Sequence, residues 1–148
     1  MKHLSLFFIF FSLLFFTACE GPSLGGNVKK TYFPNGTLQE EFIMSDATGK
    51  NGKLKKYGYD GHITSVVTIH NGVKDGVEIM YDQEGRVIRE TPYVNGKKHG
   101  VRKDLFPNGD VLATTPYQND MRNGTAYVYY KDGRVYRKVI FKNDKMIN

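Results

Sequence analysis

Side chains able to do chemistry are few in this chain, and their spacing is poor for it. There is one thiol, Cys19, and beyond residue 18 there are three imidazoles, His62, His70 and His99. No pair of these histidines has His-x-x-x-His spacing, and no second cysteine could complete a thiolate site, so a metal centre is not indicated. Ser23, Ser45 and Ser65 are the only serines past residue 18, and no Gly-x-Ser-x-Gly elbow holds any of them. Carboxylates pair up at Glu40/Glu41 and Asp82/Glu84. Adjacent strand residues face opposite sides, and the second pair flanks a turn, so neither makes an acid–base dyad. These residue types predict a protein that is not an enzyme and uses no cofactor, metal or small-molecule substrate. At 148 residues the chain fits one domain. A lone cysteine excludes an internal disulfide framework. Sixteen glycines favour many turns over long helices.

Cys19 has a chemistry of its own. Lys2 precedes an apolar run, Leu4 to Phe16, interrupted only by Ser5 and Ser12. The run is too short for a membrane span, which takes about 20 apolar residues, and its layout is that of a secretory signal peptide. Phe16-Thr17-Ala18-Cys19 then resembles the lipobox of bacterial lipoproteins, with Phe16 where Leu is usual. That resemblance implies lipidation of the Cys19 sulfur, cleavage before it, and acylation of the new amine. Several acyl chains hold a protein on a bilayer where one holds it marginally. Glu20 follows the cysteine; in enterobacteria Asp there favours inner-membrane retention, so Glu permits the outer membrane. The expected organisation is a signal peptide over 1–18, a lipidated Cys19 with a Gly/Pro/Ser-rich tether over 19–28, and a repeat domain over 29–148. The expected location is the cell envelope, lipid-anchored, at the outer membrane.

The rest of the chain repeats itself. Gly52, Gly76, Gly100 and Gly124 are 24 residues apart, as are Gly61, Gly85, Gly109 and Gly133, and Asn71, Asn95, Asn119 and Asn143. A fifth, degenerate unit precedes them around Tyr32-Phe33-Pro34-Asn35-Gly36, with one residue inserted near Ala47-Thr48-Gly49. Each unit reads as a β-hairpin. Its tip is a tight turn such as Pro107-Asn108-Gly109, whose Asn-Gly predicts a primed turn. A longer, glycine-bracketed turn such as Asn71 to Gly76 leads onward. Positions two, six and eight past the tip glycine are mostly apolar (Val87, Thr91 and Tyr93 in one unit), and even spacing predicts that they share a face. The intermediate column, Glu40, Ser65, Arg89, Ala113 and Arg137, follows no such stripe. Pro92 and Pro116 occupy matching places and cannot donate to a ladder, so a bulge or missing neighbour is expected there. The fold class expected is all-β: an elongated antiparallel meander of about five hairpins, about ten strands, in one twisted sheet.

A tyrosine column (Tyr32, Tyr57, Tyr81 and Tyr129, with Leu105 as the exception) combines with Asn-Gly turns and a Lys-x-Gly element (Lys50-Asn51-Gly52, Lys74-Asp75-Gly76, Lys98-His99-Gly100). The combination resembles the MORN-repeat variant of bacteria over roughly residues 29–145. Such proteins are often labelled antitoxins, and eukaryotic MORN proteins are associated with membranes and scaffolding. The resemblance implies a binding module, with an antitoxin or immunity role against an envelope-acting toxin compatible with the signal peptide.

Charge and aromatics point to one end. Units 20–47, 48–73, 74–97, 98–121 and 122–148 carry −2, +3, −1, 0 and +5. Tyr127, Tyr130, Arg134, Arg137 and Lys138 in the last unit are the candidate partner-binding residues. An acidic protein partner is one reading, and a structural lipoprotein gripping cell wall or anionic lipid is the other. Protection of an exposed sheet edge is the reading that assigns these charges no ligand. Nucleic acid is not expected for an exported protein. Mass spectrometry of fractionated cells should find a mature N-terminus at acylated Cys19. Cys19→Ala should move the protein out of the membrane fraction, and an intact Met1 in the cytoplasm would contradict the anchor.

Overall fold

The structure, a computed structural model, describes residues 27–147. The expected signal peptide, Cys19 and nearly all of the tether therefore lie outside the described residues. Among those described there is no helix, and 14 strands form one antiparallel sheet. Five hairpins supply it: β1 (Val28–Tyr32) with β2 (Leu38–Met44), β3 (Gly52–Tyr57) with β4 (Ile63–His70), β6 (Gly76–Tyr81) with β7 (Val87–Val94), β9 (Gly100–Leu105) with β10 (Val111–Gln118), and β12 (Gly124–Tyr129) with β13 (Val135–Lys142). Two-residue strands β5 (Val73–Lys74), β8 (Lys97–Lys98), β11 (Met121–Arg122) and β14 (Lys145–Met146) fold back on β4, β7, β10 and β13. Spatial order follows chain order, so the repeat meander is the architecture, with four short strands beyond the ten expected.

The turn chemistry is the reverse of the expectation. At the hairpin tips only the glycine has positive φ (Gly36 83°, Gly109 92°). The N–H of Phe33 bonds the Thr37 carbonyl at 2.8 Å, and the Gly36 N–H bonds the Phe33 carbonyl at 2.9 Å. This is a three-residue loop, a type I turn closed by a left-handed glycine. Asn and Asp suit its middle position because they accept a nearby N–H: Asn35 from Thr37 at 3.0 Å, Asp132 from Arg134 at 3.0 Å. The primed turns are the second ones. Asn71 and Gly72 have φ of 52° and 81°, and Asn119 and Asp120 have 50° and 72°. What looked like a long turn is a two-residue turn, a short strand, and a bulge.

These primed turns reach back to the segment that precedes their own hairpin. The N–H of Gly72 donates to the Lys50 carbonyl at 2.8 Å, Gly96 to Lys74 at 2.8 Å, Asp120 to Lys98 at 3.0 Å, and Asp144 to Arg122 at 3.0 Å. A side chain adds a second bond. Asn51 and Asp75, on the segment that precedes the hairpin, accept from the N–H of Asn71 and Asn95. In the later joints the turn itself carries the acceptor: Asp120 and Asp144 take the N–H of Lys98 and Arg122. The first joint differs. A loop over residues 45–51 replaces the primed turn, and Asp46 gathers Thr48 and Asn51 within it. The one-residue insertion falls in this loop.

A bulge in each second strand corrects the expected face pattern. Tyr81 lies opposite Val87, but Met80 lies opposite Arg89, so Ile88 is extra. The same skip recurs at Tyr57/Ile63, Leu105/Val111 and Tyr129/Val135. It reverses the alternation. The column two past the glycine therefore shares the face of the tyrosine column, and the columns four, six and eight past share the other. That second face is the more buried one: Ser65, Val67, Glu78, Thr91 and Thr115 are buried, with Val67 at 2 % and Thr91 at 3 % exposure. Only Val67 among them is apolar, so this sheet carries a polar strip where a two-layer fold carries its core. Lys74 meets Glu78 at 2.6 Å. Burial, with Glu78 beside it, pushes the Tyr93 hydroxyl up to about 12. Arg89 and Arg102 both hold Asp104. Three cations lie over aromatic rings of the following hairpin at one register: Lys74 over Tyr93, Lys98 over Tyr117 and Arg122 over Phe141, at 4.8, 5.3 and 4.2 Å.

The prolines sit where a neighbour gives way, as expected. The carbonyls of Pro92 and Pro116 accept the N–H of His99 and Asn123 at 3.0 Å, at the bulge between a short strand and the next long one. Backbone N–H and C=O of one antiparallel residue point the same way, so the missing N–H faces that bulge. Each proline ring packs on the next unit's glycine: a Cβ on Gly100 would meet Pro92 Cγ at 3.0 Å, whereas one on Gly109 would meet nothing within 4 Å. Both glycines have positive φ, so Gly109→Ala should cost about 1–2 kcal/mol from backbone strain alone. Gly100→Ala should cost about 1 kcal/mol more, recovered in part by adding Pro92→Ala. Urea unfolding midpoints check the pair, and equal losses would remove the proline contact from the account.

Candidate functional site

The last hairpin splits the expected binding cluster. Tyr127 on β12 lies directly opposite Lys138 on β13, and both share a face with Tyr129. The Tyr127 and Tyr129 rings are 6.1 Å apart at 28°. Tyr130 leaves the strand at the tip turn and is exposed. Arg134 caps it from the other side of the turn, 5.5 Å from the ring centre, and also holds Asp132 at 2.7 Å. Arg137 lies opposite Val128 and therefore faces the other way, toward the side of the polar strip. The five residues form two pairs on one side and a single cation on the other.

Tyr136 was missed by sequence reasoning. It occupies the bulge, is 61 % exposed, and meets the Tyr130 ring edge-on at 5.0 Å and 73°. Its signal was the bulge column itself (Thr64, Ile88, Leu112, Tyr136), which strict alternation hides. An open depression of about 470 Å³ lies beside this aromatic pair, between the tips of the last two hairpins. Val111, Thr114, Tyr129 and Tyr130 line it, with Asp110 and Lys131 also on its wall.

Pairing leaves part of the positive charge free. Arg122 meets Asp144 at 2.9 Å and Arg134 meets Asp132. Among the described residues Arg137, Lys138, Lys142 and Lys145 have no ion-pair partner. In the first hairpin joint charges are matched: Lys55 and Lys30 flank Glu41, and the Lys55 bond holds that carboxyl below its usual range. His62 contacts Asp60 inside a tip turn, where it serves the turn. Among the described residues no three His, Cys, Asp or Glu gather as a metal site.

A single sheet of stacked, glycine-turned hairpins with 24-residue spacing is a β-repeat module. The MORN repeat variant matches residues 27–45, 74–95, 98–119 and 122–143, more than half of the chain, and the chain belongs to that family. Its repeats are generally non-catalytic. The unit over 48–73 lies outside those matches yet forms the same hairpin. No curated protein matches the chain. Among solved structures, a point mutant of S. aureus TarM, crystallised with Fondaparinux, alpha-GlcNAc-glycerol and UDP, aligns at 11% identity and a TM-score of 0.40. The alignment covers 84% of this chain and 20% of that one.

Arg122 holds the Asp144 carboxyl below its usual range. A depressed carboxylate contributes stability present above its unfolded value, near 3.8, and lost as pH falls through the folded one. The protection factor of the Arg122 amide, which donates to Asp144 at 3.0 Å, should therefore fall below about pH 4. Asp144→Asn should abolish that acid dependence. Hydrogen exchange followed from pH 6 to pH 3 checks it, and a pH-independent opening would contradict it.

Proposed function

We propose that this protein is a non-catalytic, protein-binding repeat module of a bacterial cell envelope, held there by lipid on Cys19, with an antitoxin- or immunity-like role. One observation carries this reading. The last hairpin presents both unpaired cations, Lys138 opposite Tyr127 among them, and the exposed Tyr130–Tyr136 pair. Exposed aromatics together with free basic groups suit a protein surface of opposite charge.

Sheet geometry supports a protein partner over the anchoring membrane. The anchor would precede β1, and the basic hairpin lies at the other end of the strand order. Ten strand spacings separate β1 from β14 along that order, roughly 48 Å at 4.8 Å each. The same unpaired cations favour a second reading, a structural lipoprotein that grips cell wall or anionic lipid through its last repeat.

Affinity capture from detergent-solubilised envelopes should recover one stoichiometric partner with the wild type. Recovery should fall about tenfold with Arg134→Glu/Lys138→Glu. Recovering no specific partner would count against the binding module. Sedimentation of the protein with anionic vesicles or isolated wall, lost at high salt, would favour the second reading.

A further inference from the structure

The joints between hairpins follow a pairing rule, and the last strand leaves one half of it unfilled. At the second, third and fourth joints two consecutive residues of a second strand face two residues of the next hairpin, and at the first joint the matching two lie within a longer pairing of five. In the first joint Glu40 faces Lys56 and Glu41 faces Lys55, at 2.8 and 3.2 Å between charged atoms. In the third Arg89 faces Asp104, an ion pair, and Glu90 faces Lys103 at 3.5 Å. In the second and fourth all four members are uncharged: Ser65 with Met80, Val66 with Ile79, Ala113 with Val128, Thr114 with Tyr127. At these two positions charge meets opposite charge and uncharged meets uncharged in all four joints, although further along the first joint Ile43 faces Lys53.

The residues of β13 at these two positions are Arg137 and Lys138. Among the described residues the outer side of β13 is met only by β14, at Phe141 and Lys142, and by Ile147, whose N–H bonds the Ile140 carbonyl. Alternation from Ile140 turns the backbone N–H and C=O of Lys138 outward as well. We propose that this edge is a strand-addition site for an extended acidic segment of a partner protein, with two successive acidic residues, one beside Arg137 and one beside Lys138. The segment would run antiparallel to β13 and take the place that β6, β9 and β12 take at the earlier joints. Main-chain bonds supply affinity in such an addition, and the two side-chain pairs supply selection.

A second copy of this chain fits the edge poorly. By the same register β1 would present Thr31 to Arg137 and Lys30 to Lys138, setting like charges face to face. The segment chemistry rests on the protein-binding reading above, and the test separates the two.

The probe is an eight-residue peptide of Thr and Val with two central glutamates, blocked at both ends, added to the full lipidated chain in detergent micelles. It should slow exchange of the Lys138 amide. It should also bind about tenfold more tightly than a peptide with central lysines, and the difference should shrink with salt. N-methylation of the peptide amides that face β13 should abolish binding. Arg137→Glu/Lys138→Glu should invert the charge preference. Both positions are exposed, so the fold should tolerate the exchange. Equal binding of the N-methylated peptide would reduce the site to a charge patch and overturn strand addition. A Lys138 amide already protected in the free protein, with a dimer in solution, would assign the edge to a second copy. Envelope-partner capture that survives Arg137→Glu/Lys138→Glu while peptide binding is lost would sink the acidic segment as that partner's contact and leave the binding module standing.

Discussion

A sheet with no second layer among its described residues must hold itself together within its own plane. Burial cannot carry it: among the described residues Val67 is the one apolar side chain that is buried. The continuous backbone ladder does the work instead: β2 pairs with β3, β4 with β6, β7 with β9 and β10 with β12 across the joints, and each primed turn adds an N–H bond to the segment that precedes its own hairpin. Gly72 reaches Lys50, and Asp144 reaches Arg122, at the same register one period after another. In a repeat array of this kind each unit is stabilised through its nearest neighbours.

Side chains reinforce the same joints in two alternative ways. Where the Lys-x-Gly element carries Asn51 or Asp75 at its middle, that residue accepts the next turn's N–H. Where the middle residue is His99 or Asn123, the turn replaces glycine with Asp120 or Asp144 and the bond runs the other way. Asp tolerates the left-handed backbone better than most residues, which makes the exchange affordable there. The cation over the next hairpin's aromatic ring is the third device, and it repeats at 24-residue spacing. Polar and charged groups thus do in one layer what apolar packing does in two.

The last hairpin follows from these rules. Two interior joints answer charge with opposite charge, as Glu41 does with Lys55 and Arg89 with Asp104. On β13 the same positions carry Arg137 and Lys138, and no described strand answers them. Edge protection and recognition draw on this one fact: an unmatched basic edge repels another basic edge and accepts an acidic one.

The period, the hairpins, the all-β class and the end bearing free charge were legible in the sequence, because glycine, Asn-Gly and Asp-Gly act locally on the backbone. The matched prolines likewise announced a place without a ladder partner. What only the tertiary structure decided was phase. One bulge residue per second strand, such as Ile88, moves Val87 to the face of Tyr81 and leaves Arg89 with Thr91 and Tyr93. A period of two cannot reveal a single inserted step, since the residues on both sides still alternate. For the same reason the column Glu40, Ser65, Arg89, Ala113 and Arg137 had no account until its partners across the joint were known, and Tyr130 found Tyr136 only through the turn. Local chemistry fixes which residues turn and which extend. Pairing with the neighbouring unit fixes which face each side chain takes.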